Sequence, residues 1–124
     1  MKFLIFPVFI ILFYGCYYDN EESAYGRPAS ACDTTHVTYS ISVQPIIMTW
    51  CLACHSNQQV SEGAGGGNHL EGYSNLRVFA LNGRLLGAVE HLPGYSPMPK
   101  YGNKLDSCDV AKIRIWVTNG APNN

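Results

Sequence analysis

The chain has 124 residues, which suits a single domain with one modest core. Its formal net charge is -1 and only 14% of its residues are charged, so there is no basic field for nucleic acid or another acidic polymer. With 5 cysteines in so short a chain, the positions of the thiols carry much of the reading.

Residues 1–15 read as a leader. Lys2 supplies a positive start, residues 3–13 are almost wholly apolar apart from Pro7, and Tyr14-Gly15-Cys16 closes the run. The stretch is shorter than the roughly 20 apolar residues that a membrane-spanning helix needs. Gly15-Cys16 resembles the lipobox of bacterial lipoproteins, which implies lipidation of Cys16 and a lipid anchor in the membrane. An ordinary secretory signal with an incidental Cys16, or an uncleaved anchor, are the alternatives. All three place the remainder outside the cytoplasm, facing the periplasm or the cell surface.

Residues 16–35 are polar and lack apolar periodicity, as a flexible tether would. The domain is expected over residues 36–124. Ser42 is the expected cap of a helix through Pro45, Ile46, Ile47 and Trp50 to about Cys54, with Pro45 tolerated in its first turn. Residues 56–68 read as loop, because Gly63-Ala64-Gly65-Gly66-Gly67 cannot hold a helix. These glycines lack the Lys-Ser/Thr and the preceding strand of a phosphate cradle. Ser74 is the expected cap of a short helix with Leu76, Phe79 and Ala80, ended by Asn82-Gly83. Leu85, Leu86, Val89 and Leu92 outline another, stopped by Pro93-Gly94. Asp106 or Ser107 then caps a helix whose Val110, Ile113, Trp116 and Val117 share one face, with Gly120 as its stop. No alternating β pattern appears, so the expected class is all-α, with about four short helices.

Cys51-Leu52-Ala53-Cys54-His55 carries the chemistry. Cys-x-x-Cys-His is the attachment signature of c-type haem: the two thiols can form thioethers with the vinyl groups on one edge of the porphyrin, and the histidine meets the iron. A thiol redox pair needs a helix N-terminus after a strand, which this segment lacks. A zinc site needs a second close pair, and Cys32 and Cys108 are isolated. In an oxidising compartment those two cysteines are expected to be joined, stapling the start of the domain to its last helix with a stabilisation of about 4 kcal/mol. Two buried free thiols are the alternative.

Taken with Ser96-Pro97-Met98-Pro99 and the segment Ile113-Arg114-Ile115-Trp116-Val117-Thr118-Asn119-Gly120-Ala121-Pro122, the haem motif makes residues 36–124 resemble a small class I cytochrome c domain of the lipoprotein-borne kind. The resemblance implies one covalently bound haem c per chain between the first and last helices, with His55 and Met98 as the iron ligands. It also implies that Trp116 packs near the haem. Met98 has a physical case of its own, since Pro97 and Pro99 restrict the backbone on both sides. Its alternative is an ordinary core methionine. His91 is the rival distal ligand, while His36 and His69 lie in polar surroundings.

Ligation on both faces leaves no open iron position, so the expected role is electron transfer and not catalysis. A monomeric carrier meeting redox partner proteins is expected, and Lys100 and Lys104 are candidates for flanking the haem edge. The other readings are a haem enzyme or sensor of peroxidase type with a displaceable Met98, and a haem-free disulfide-containing lipoprotein with Cys51 paired to Cys54.

Overall fold

Thr38, not Ser42, starts the first helical segment. The computed structural model describes Cys32–Asn124, which form one unit, so the leader, Cys16 and the tether as far as residue 31 lie outside the described residues. The Thr38 side chain accepts from the Ile41 N–H at 3.2 Å, and the Ser42 hydroxyl accepts from the Thr38 N–H at 3.2 Å, so the two close a reciprocal cap. The segment Tyr39–Val43 is wound as a wide π-helical turn, with the Val43 N–H reaching Thr38 O and the Gln44 N–H reaching Tyr39 O. This wide turn ends directly before Pro45, which has no N–H to donate and whose ring crowds the carbonyl four residues back.

Helix α1 follows at Gln44–Trp50, then α2 at Leu52–His55 and α3 at Asn57–Ser61. The expected unbroken helix to Cys54 is interrupted at Cys51, whose φ of -115° departs from helical geometry. Residues 56–68 are also not all loop, because Ser56 accepts from the Gln59 N–H at 3.2 Å and so caps α3. Helix α4 spans Tyr73–Leu81 behind Gly72, not Ser74, and α5 spans Arg84–Val89. It ends before Pro93 in a Schellman motif, with Leu92 N–H on Gly87 O, His91 N–H on Ala88 O, and His91 at a left-handed φ of 58°. Helix α6, Ser107–Thr118, is capped by Asp106, and Gly120 closes it through the same motif.

No strand occurs among the described residues, so the fold is all-α, with more and shorter helices than expected. None of these helices is long and apolar enough to cross a membrane. Val43, Ile46 and Ile47 from the first segment, Leu76 and Ala80 from α4, Leu85 and Val89 from α5, and Val110, Ile113 and Trp116 from α6 form one core. Burying a large apolar side chain fully contributes about 1.5–3 kcal/mol, and this core fixes the helices that frame the site.

Candidate functional site

Cys51, Cys54, His55 and Met98 all line one cavity of about 500 Å³. That volume falls within the range of about 300–1,000 Å³ usual for cofactor sites. The haem motif occupies a single turn: the Cys51 carbonyl accepts from Cys54 N–H at 3.2 Å and His55 N–H at 2.9 Å, while Cys51 N–H donates to Ile47 O at 2.9 Å. Cys51 thus closes α1, and Cys54 and His55 lie in α2. Cys51 is half-buried and Cys54 exposed, and neither is in a disulfide. Burial pushes the Cys51 thiol up to about 11, so it stays protonated near neutral pH.

His55 is 8% exposed and its Nδ1 lies 2.9 Å from the backbone oxygen of Asn68. A carbonyl can only accept, so Nδ1 carries the proton and Nε2 keeps the free lone pair that a metal requires. Asn68 is itself held: its Nδ2 donates to Gly65 O at 2.9 Å, and its Oδ1 accepts from Arg84 Nη2 at 3.0 Å. Gly65 folds tightly over this corner at φ +61°, where an added Cβ would lie 2.6 Å from Cys54 O and 2.8 Å from His55 Nδ1. The glycine run is therefore no loose loop at this position, but a backing for the histidine.

Met98 reaches the cavity from the irregular segment after α5. Its N–H donates to Ala88 O at 3.0 Å, and its carbonyl accepts from His91 Nε2 at 2.9 Å. His91, the rival ligand, is exposed and does not line the cavity. His36 and His69 are also exposed, the latter bonded to Asn57 Oδ1 at 3.0 Å. Lys100 lines the cavity and Lys104 does not.

Trp116 does not line the cavity. It is fully buried, 5.8 Å from the Tyr39 ring, with Nε1 donating to Pro122 O at 2.8 Å. The sequence reading missed Trp50, Phe79, Arg84 and Tyr95 on the lining. Only Trp50 had a local signal, an aromatic directly before Cys51. Tyr95 sits flat against Gly87, which leaves no room for a Cβ. Arg84 lies 4.9 Å over the Phe79 ring, and it and Lys100 are the basic side chains of the lining. Both are cations, as suits a cofactor bearing carboxylates. No group of three or more His, Cys, Asp or Glu side chains is placed to hold a metal ion among the described residues. Away from the cavity, Cys32 and Cys108 are joined in a disulfide, with Cα atoms 5.5 Å apart and a sequence separation of 76.

No family model and no solved structure matches the chain. Over 113 residues it is 26% identical to cytochrome c6 of Picosynechococcus sp., a match covering 82% of this chain and 85% of that protein. This similarity, on an all-helical fold, supports a relationship to the c-type cytochromes.

Proposed function

We propose that the chain is a monohaem c-type cytochrome acting as an electron carrier, with haem attached through Cys51 and Cys54 and with His55 and Met98 as the axial ligands. The observation that carries this reading is the meeting of those four side chains on one cavity, with His55 Nδ1 committed to Asn68 and its Nε2 left free. When bound, haem supplies a one-electron iron couple. Cys51 and Cys54 tether it covalently, so that it is kept through unfolding and dilution outside the cell. His55 and Met98 would both hold the iron, which would favour electron exchange over bond-making chemistry. A His/Met pair also raises the potential relative to two histidines. Arg84 and Lys100, both on the lining, would be available to offset the charge of haem carboxylates. In this reading Cys16 is lipidated and anchors the monomeric carrier to a bacterial membrane on its extracytoplasmic side, where redox partner proteins meet it.

The test is made on protein produced with a working haem-attachment system. After denaturation and acidic organic extraction, the haem is expected to stay on the polypeptide; haem that moves cleanly into the organic phase overturns the attachment. The reduced spectrum is expected to be six-coordinate and low-spin. Met98→Ala is expected to keep the covalent haem, lose the weak sulfur-to-iron charge-transfer band of the oxidised form and lower the potential. A high-spin wild-type spectrum would instead favour the peroxidase or sensor reading.

A further inference from the structure

We propose that His91 is a positioning residue for Met98: its imidazole grips the Met98 carbonyl and so keeps the thioether on the iron. This role rests on the reading of Met98 as the distal ligand.

The position of His91 in the fold is unusual for a histidine. It is the residue after the C-cap of α5 in the Schellman motif, at φ 58°, where glycine is the ordinary occupant because a Cβ is strained there. Histidine tolerates this region better than most residues, yet it still costs more than glycine. What the ring offers in return is a bond from Nε2 to Met98 O at 2.9 Å. Because the acceptor is a carbonyl, Nε2 must carry the proton. The ring is exposed and does not line the cavity, so it acts on the site only through the backbone of Met98.

Met98 needs such a hold. Residues 92–97 are all exposed, and the segment contains Pro93, Gly94 and Pro97. Its backbone bonds are Leu92 N–H to Gly87 O and Tyr95 N–H to Leu92 O. The chain is then re-anchored at Met98 itself, whose N–H and C=O both bond to the end of α5, on Ala88 and His91. The two bonds fix the plane of each peptide flanking Met98, and with them the direction of the side chain. Ala88 O is already shared with the His91 N–H at 3.3 Å. Removing the imidazole leaves Met98 on that shared acceptor alone, and the iron ligand then dissociates more readily.

The test uses the haem-loaded full chain and imidazole as an external ligand that competes with Met98 for the oxidised iron. His91→Gly keeps the left-handed backbone, and so the helix end, while deleting the donor. It is expected to bind imidazole about three- to tenfold more tightly than wild type, with a weaker charge-transfer band and unchanged far-UV dichroism. His91→Gln, whose amide nitrogen can take the place of Nε2, is expected to return both readouts most of the way to wild type. If His91→Gly matches wild type in band and imidazole affinity, the role is overturned while Met98 remains the ligand. If His91→Gln behaves like His91→Gly, the hydrogen bond is not the cause and the role is again overturned. A wild-type protein that lacks the band altogether overturns the ligation by Met98, and this role with it.

Discussion

Gly65 is the residue on which the histidine side of the site leans most closely. Two independent constraints act there, a left-handed φ of +61° and the approach of Cys54 O and His55 Nδ1 to within 2.6 and 2.8 Å of any added Cβ. Gly65→Ala is therefore expected to cost about 1–3 kcal/mol and to tilt the His55 ring, changing the low-spin spectrum. Gly63→Ala is the matched control, since its φ of +97° is also strained but nothing lies within 4 Å. It should cost only the backbone term, roughly 1–2 kcal/mol, with the spectrum unaltered. Denaturant unfolding followed at the haem absorbance measures both. The four residues that meet on the cavity were legible because their chemistry is written in residue type and spacing, Cys51, Cys54, His55 and Met98 alike. The residues that hold them were not. Asn68 acts on His55 through a backbone oxygen and His91 on Met98 through another, and a backbone acceptor leaves no mark in a sequence.

The elements divide along similar lines. Stops made by glycine were readable, and Gly83 at φ +79° and Gly120 at φ +87° end α4 and α6 as a left-handed residue must. Starts were harder, because several hydroxyl and small residues precede each apolar run and only tertiary packing selects among them. Thus Thr38 and Gly72 took the places expected of Ser42 and Ser74, and α3, with Val60 as its one apolar aliphatic residue, offered no periodicity to detect. Helix α6 was read well, and it is doubly fixed at its start. Asp106 accepts from the Cys108 N–H at 2.8 Å, and the Cys108 side chain is bonded to Cys32 across 76 residues. Replacing both cysteines by serine is expected to lower stability by about 2–5 kcal/mol. Neither cysteine lines the cavity, so the visible spectrum should not change. A denaturant midpoint equal to wild type would mean that the cross-link constrains nothing that the core has not already fixed.

At the scale of the whole molecule, the two ends of the domain close over one aromatic cluster. The Tyr39 ring packs 5.2 Å from Tyr73 and 5.8 Å from Trp116, while the Tyr39 N–H donates to Asn124 Oδ1 at 2.8 Å and the Ser40 N–H to Asn124 O at 3.0 Å. Tyr73 and Trp116 in turn pin the segment after α6, through Tyr73 O–H to Ala121 O at 2.9 Å and Trp116 Nε1–H to Pro122 O at 2.8 Å. Tyr39, Tyr73, Trp116 and Asn124 are all absent from the cavity lining. Stability and haem electronics should therefore separate here. Trp116→Phe keeps an aromatic ring at a site with no exposure but leaves the Pro122 carbonyl without its donor. The expected loss is about 2 kcal/mol, a fall of roughly 8–16 °C in the thermal midpoint. The charge-transfer band and the reduction potential should stay at their wild-type values. A variant that kept its midpoint but shifted its potential would show that Trp116 acts on the haem although it is absent from the cavity lining.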